Sequence, residues 1–220
     1  MNNKQVIPSM NIRQQQLIAE TALRIRKSLD LSEILDTAVK EVQLLINCDR
    51  VVIYRFTSDM SGDIVAESVK LGWKKSWGQN IVDTCFQEQG AARYEQGETL
   101  AIDDIYQYGL SSCHIKLLEE FQVKAHIVCP LLLAPSSSPK CPQLWGLLIA
   151  HQCSSPRHWL TNEVELLDKL SVQLEIAIQQ AELLDNLQRE LEIRKQAENS
   201  LKEKAIELEW SNRELLKITS

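Results

Sequence analysis

From Asn162 to Ser220 the chain contains neither glycine nor proline. A stretch without the two strongest helix breakers is predicted to be helical throughout. At 1.5 Å per residue that helix runs roughly 90 Å, far beyond the diameter of one small domain. The chain must therefore fold as a compact body upstream with a helix that outruns it. Leu184, Leu187, Leu191, Leu201, Ala205, Leu208 and Leu215 fit a heptad seam that also passes through Arg194, Glu198 and Asn212. Leucines mixed with polar seam residues predict a parallel homodimeric coiled coil, because a lone helix would leave those leucines in water. Asn162 and Glu165 have capping-box spacing for the helix start.

Upstream, residues 14–29 repeat apolar side chains at helical spacing through Ile18, Ala22, Ile25 and Leu29. Residues 32–46 do the same through Ile34, Ala38, Val42 and Leu45, with Asp30 or Ser32 as the N-cap. "DRVVIYRF" and "IVAESVK" read as strands joined by the turn "SDMSGD", hence an antiparallel pair. Residues 71–110 lack long periodicity and hold Gly72, Gly78, Gly90, Gly97 and Gly109; long excursions of this kind are commonly functional. A helix opens near Cys113, and "AHIVCPLLL" and "LWGLLIAHQ" are strands around a Pro/Ser-rich loop. The expected class is α+β: an antiparallel sheet with helices on one face and the excursion covering the other. The expected division is a short segment 1–13, a domain 14–181 and a helical linker 182–220.

The net charge of −6 and the absence of a basic stripe argue against nucleic acid as a partner. No apolar run approaches the roughly 20 residues that span a bilayer, and the N-terminus lacks the apolar core of a secretory signal. A cytoplasmic location is expected, with the six cysteines reduced. They contain no C-x-x-C pair, so no metal site is expected. Cys48, Cys129 and Cys153 lie in apolar segments and read as core filler, and Cys141 sits in a polar loop. Cys113 differs: two serines precede it, His114 follows it, and it opens a helix, an environment that lowers a thiol's pKa. Cys85, between Asp83 and Phe86 in the excursion, raises the same question. Spacing alone leaves filler, nucleophile and covalent anchor open for both.

The segments "DRVVIYRF", "VAESV", "DTCF", "SSCHIKLLEEFQVKAHIVCP", "LWGLLIAHQCSSPRHW" and "QLEIAIQQA" together resemble the bilin-binding GAF domains of the cyanobacteriochromes, relatives of phytochromes. "DTCF" is similar to the Asp-X-Cys-Phe subgroup, which carries a second cysteine. The resemblance implies a photoreceptor module and not an enzyme, apart from self-catalysed pigment attachment and isomerisation. Its cofactor would be phycocyanobilin, or the isomer phycoviolobilin, a linear tetrapyrrole held by a thioether to Cys113. His114 would pack against the pigment, Asp83 would accept from pyrrole N–H groups, and Arg93 with Tyr94 would meet a propionate. His151 and Tyr54 would lie near the D ring, with Phe86, Trp73 and Trp77 flanking. Cys85 would add reversibly to the C10 methine, giving a blue- or violet-absorbing state that converts to a green-absorbing one on C15=C16 isomerisation. The C-terminal helix resembles linkers that precede kinase or cyclase output modules. One departure stands out: His126 occupies a place where many relatives have Asn. The rival readings are a GAF domain holding a small ligand without covalent attachment, a purely structural dimerisation module and a thiol enzyme.

Overall fold

The computed structural model describes residues 12–57, 61–81, 91–134 and 142–218, with side chains described between residues 15 and 208. Helix α1 (Ile12–Ile25) turns Ala22 and Ile25 inward. It stops short of the expected residue 29, where Ser28 Oγ accepts the Asp30 N–H at 3.0 Å and turns the chain toward the next helix. Helix α2 (Leu31–Ile46) is capped by Asp30, which accepts the Glu33 N–H at 2.9 Å; of the two candidate caps, Asp30 is the one used. It ends at Asn47 in the left-handed region, φ 50°.

Six strands form one sheet: β1 (Arg50–Phe56), β2 (Gly62–Val69), β3 (Asn80–Ile81), β4 (Leu100–Ile102), β5 (Ala125–Leu133) and β6 (Gln143–Gln152). Their order is β3-β2-β1-β6-β5-β4, and every pair is antiparallel. Side chains alternate between two buried faces. Val51 and Ile53 turn to the face where α2 brings Ile34, Leu35, Ala38, Val39, Val42 and Ile46 against β1, β2 and β6. Val52 and Tyr54 turn to the other. Two glycines make room for Tyr54. A Cβ at Gly146 would stand 2.3 Å from the Tyr54 carbonyl oxygen, and one at Gly62 would stand 2.5 Å from the Tyr54 ring. The short helices α3 (Ala91–Glu95) and α4 (Ser112–Glu120) belong to the second face.

Helix α5 (Thr161–Ile218) runs for 58 residues. It starts one residue earlier than its sequence suggests, and the carboxylate closing its first turn is Glu163, not Glu165. Glu163 accepts the Leu160 N–H at 2.9 Å, and the Leu160 carbonyl takes the Val164 N–H at 3.1 Å. Arg157 holds Glu163 in that role, Nη2 to Oε1 at 2.6 Å. The chain divides into two compact units, Met1–Gln179 and Gln180–Ser220. Within the second unit Leu183, Leu187, Leu191, Leu201 and Leu208 are each about half to two-thirds exposed, and Glu190–Arg194 and Glu198–Lys202 pair along the helix surface at 2.6 Å. No described helix is long and apolar enough to cross a membrane.

Arg50 is completely buried. Its Nη1 donates to the Phe121 carbonyl at 2.8 Å, its Nη2 donates to the Lys74 carbonyl, and its Nε lies 3.1 Å from Glu67 Oε1 as an ion-pair contact without a linear hydrogen bond. Glu67 in turn accepts from the Ser76 N–H at 2.9 Å, the Ser76 hydroxyl at 2.7 Å and the Trp77 N–H at 3.0 Å. Removing one member leaves a buried charge without its partner, which costs about 3–5 kcal/mol. Arg50→Met and Glu67→Gln are each expected to destabilise the protein on that scale, and the double variant by less than the sum, as read from urea unfolding.

Candidate functional site

The face of the sheet turned away from α2 is a lattice set by strand register. One row runs Ile64, Tyr54, Leu147, Pro130. The next runs Glu67, Val52, Ile149, Val128, Leu100, and the third runs Arg50, His151, His126, Ile102. The central positions of the first two rows are apolar, while the third carries two imidazoles and a guanidinium. Over this floor lies a cavity of about 400 Å³, roofed by Arg93 and Tyr94 of α3, the 108–111 segment, and His114, Leu117 and Leu118 of α4. That volume and apolar lining are those of a small-molecule site.

Its polar groups are few. Burial, more than its neighbour Arg93, governs Tyr94 and pushes its hydroxyl pKa up. Tyr54 donates its hydroxyl to the Ile81 carbonyl at 3.3 Å. Arg93 is half-buried at the rim; its hydrogen bond with Tyr108 raises its pKa, and Glu98 lies 3.9 Å away. His126 is enclosed, and burial followed by the nearby His114 pulls its pKa down to about 3. Burial, then Arg50 and His126, holds His151 well below the usual histidine range.

Tyr54, Arg93, Tyr94, His114 and His151, singled out from sequence, all line this cavity. Trp73 and Trp77 do not line it; Trp73 is half-buried in a turn and Trp77 is 67% exposed. Asp83, Cys85 and Phe86 lie outside the described residues. Ser76 and Tyr108 line the cavity without having been singled out, and nothing periodic in their segments marks them. His126 also lines it; alternation along "AHIVCP" sets it on the same face as Val128 and Pro130, which was a usable signal.

Cys113 is the second residue of α4 and is exposed. Ser111 caps that helix, accepting the His114 N–H at 3.4 Å, and its hydroxyl lies 3.3 Å from the Cys113 sulfur. The expectation of six reduced cysteines fails here, because Cys113 is disulfide-bonded. Cys48, Cys129 and Cys153 are free and buried. Sulfur in a disulfide is not a nucleophile, so addition chemistry at Cys113 requires reduction first. Among the described residues no group of three or more His, Cys, Asp or Glu could hold a metal ion.

Residues 30–178 match the GAF domain family. The chain is 35% identical over 187 residues to the circadian input-output histidine kinase CikA of Thermosynechococcus vestitus, covering 80% of this chain and 25% of the kinase. It thus spans about a quarter of that relative's length. Three solved structures share its fold. The blue-light absorbing form of the Thermosynechococcus elongatus PixJ GAF domain is 33% identical with TM-score 0.64, over 78% of this chain and 95% of that one. The far-red absorbing dark state of JSC1_58120g3 with bound biliverdin is 37% identical with TM-score 0.67, over 76% and 99%. The red-light absorbing state of the red/green cyanobacteriochrome NpR6012g4 is 43% identical with TM-score 0.62, over 70% and 97%. This chain belongs to the GAF domain family, with close structural matches among cyanobacteriochrome GAF domains.

Burial pushes the thiol pKa of Cys48 and Cys129 up to about 12 and that of Cys153 up to about 11. Alkylation with iodoacetamide at pH 8 is therefore expected to modify Cys113 only after mild reduction, and the other three only after unfolding. Peptide mass mapping reads both outcomes.

Proposed function

We propose that this protein is a light-sensing module that binds a linear tetrapyrrole covalently in the cavity over the sheet. The observation that carries the reading is the placement of Cys113 on the first turn of α4, with the next residue, His114, lining a largely apolar cavity. The biliverdin-bound relative, alike over nearly its whole length, supports the ligand class. Reduced Cys113 adds as a thiolate to the side-chain double bond of the A ring; a C–S bond forms and the pigment carbon beside it takes a proton. Ser111 and the α4 N-terminus favour that thiolate. His114 packs against the pigment. Tyr54 and His151 lie near the D ring. Arg93, at the rim beside Tyr94, turns from Glu98 to a propionate, which suits a guanidinium fork. Asp83 accepts from pyrrole N–H groups, with Phe86 flanking.

The pigment supplies light absorption and C15=C16 isomerisation; phycocyanobilin, or phycoviolobilin formed from it, is the cofactor we infer. Cys85 provides the second, reversible linkage, giving a blue- or violet-to-green photocycle, and the blue-absorbing PixJ relative supports this choice. We place the module at residues 14–181 and the linker at 182–220, in a cytoplasmic protein.

Output runs through α5. Three polar ties join the sheet side to that helix: Thr99 to Asp168 at 2.7 Å, the Leu132 N–H to Glu175 at 2.8 Å and Gln179 to the Ala134 carbonyl at 3.0 Å. Positions 168, 175 and 179 share one helix face. Thr99 precedes the cavity-lining Leu100, so a shift at the pigment has a short path to α5. The exposed leucines from Leu183 to Leu208 support a parallel homodimer, and the kinase relative supports a kinase- or cyclase-type output domain.

Cys113→Ala, made alongside phycocyanobilin in reducing conditions, is expected to lose the zinc-fluorescent band on a denaturing gel. A band as strong as wild type, with Cys85 also replaced, would sink covalent attachment at Cys113. Cys85→Ala is expected to keep the band and lose the short-wavelength state; a persisting blue or violet absorption would remove the second linkage.

A further inference from the structure

The roof of the cavity comes from two separate stretches of chain: Arg93 and Tyr94 on α3, and residues 108–111 ahead of α4. One polar contact ties them at the mouth. The Arg93 guanidinium and the Tyr108 hydroxyl are hydrogen-bonded, and both side chains line the cavity. A guanidinium has donors and no acceptor, so Arg93 donates and the Tyr108 oxygen accepts. The phenolic hydrogen is then left to meet a second acceptor. Tyr94, the neighbour of Arg93 in sequence, is differently placed. It is 5% exposed and packs in the apolar cluster with Val52, Tyr54, Val128 and Leu147. Tyr108 is 48% exposed, which suits a group at the mouth.

The charges around the mouth say what that second acceptor is. Among the described residues lining the cavity, Arg93 is the one with a permanent charge, and none is Asp or Glu. Its carboxylate neighbour, Glu98, is itself exposed and lies 3.9 Å from the Arg93 Nε. An exposed pair at that distance contributes little and exchanges readily. A cation on the edge of an apolar cavity selects a ligand with an apolar body and an anionic arm. A carboxylate has more lone pairs than one guanidinium edge fills. A hydroxyl held beside that edge therefore finds an acceptor on the same group.

We propose that Tyr108 is a specificity-determining residue of this site. It accepts from Arg93, which holds the guanidinium over the mouth, and it donates its own hydroxyl to the tetrapyrrole propionate that Arg93 binds. This rests on the tetrapyrrole reading above and adds to it a second donor, from a different segment, at the carboxylate. Tyr108 and Cys113 belong to one short stretch of chain, so the hydroxyl also sets where the anionic arm sits relative to the attaching sulfur.

The test uses the full chain, reduced, with phycocyanobilin and its dimethyl ester as probes. The concentration dependence of the attachment rate gives a Kd for each pigment before the thioether forms. Wild type is expected to hold the free acid at least about tenfold more tightly than the ester, whose arms carry no charge. Tyr108→Phe removes the hydroxyl and keeps the ring. It is expected to weaken the Kd for the free acid roughly 5–10-fold and that for the ester by less than about twofold. The thermal midpoint of the apoprotein is expected to stay within about 2 °C, as for other half-exposed side chains. Tyr108→Leu supplies the same acid-to-ester comparison if Tyr108→Phe does not fold. A free-acid Kd within about twofold of wild type overturns the proposal. So does an equal loss for acid and ester, which would mark a packing residue. A wild-type chain that takes up no pigment overturns the proposal together with the tetrapyrrole reading, whereas normal uptake with an acid-to-ester ratio that the Tyr108 change leaves unmoved overturns this assignment alone.

Discussion

A guanidinium with no exposed surface has to be matched in the interior, and around Arg50 that matching determines how the cavity face is assembled. The ion pair with Glu67 lies on the cavity face of β1 and β2. Each partner spends its remaining hydrogen-bonding capacity on backbone that no strand organises: Phe121 just after α4, Lys74 in the stretch after β2, and the Ser76 and Trp77 amides. A hydrophobic pair of the same volume would stabilise the sheet as well or better. It could not fix the ends of two irregular segments, because apolar contacts have no direction. The buried charge pair thus sets where the roof of the cavity sits relative to its floor.

The floor follows from a different constraint. Both faces of this sheet are covered, so neither can show the simple alternation of buried and solvated residues; β5 is buried at all but one position. What distinguishes the faces is what they meet. The Val51 and Ile53 side meets a regular helix whose side chains fill the space. The Val52 and Tyr54 side meets short elements joined by irregular chain, which leave an unfilled volume. Gly62 and Gly146 fit this arrangement: a side chain at Gly146 would strike the Tyr54 carbonyl, and one at Gly62 would strike the Tyr54 ring, which in its absence lies close to β2 and reaches the Ile81 carbonyl.

Much of this was legible in the sequence because it is carried by local patterns. The five-residue and longer strands, the two N-terminal helices and the long last helix all come from periodicity and from the placement of Gly and Pro. The end of α1 and the start of α5 were not, since each depends on a side chain competing for a backbone group, Ser28 in one case and Glu163 in the other. Arg50, the first of two arginines in "DRVVIYRF", gives no sign that it is buried, because its partner Glu67, opposite Val52, is brought diagonally beside it only by hairpin register, with an irregularity between Ile53 and Tyr54. The same holds for the two histidines. Alternation gives each strand's inward face, but only the pairing of β5 with β6 brings His126 beside His151. Tyr94 and Arg93 were found through family resemblance; periodicity says nothing across a helix of five residues.

The row Arg50, His151, His126, Ile102 shows how one register can separate two requirements of a binding site. Charge is placed at one end, where Glu67 neutralises it, and apolar surface at the other. Between them are two groups that are polar yet uncharged, because desolvation holds them so. If the middle positions were apolar, the cavity would bind by shape alone and a long, flexible apolar ligand could slide. If they were charged, burial would demand counterions and the volume would be lost to them. Neutral imidazoles avoid both outcomes at a modest cost in stability.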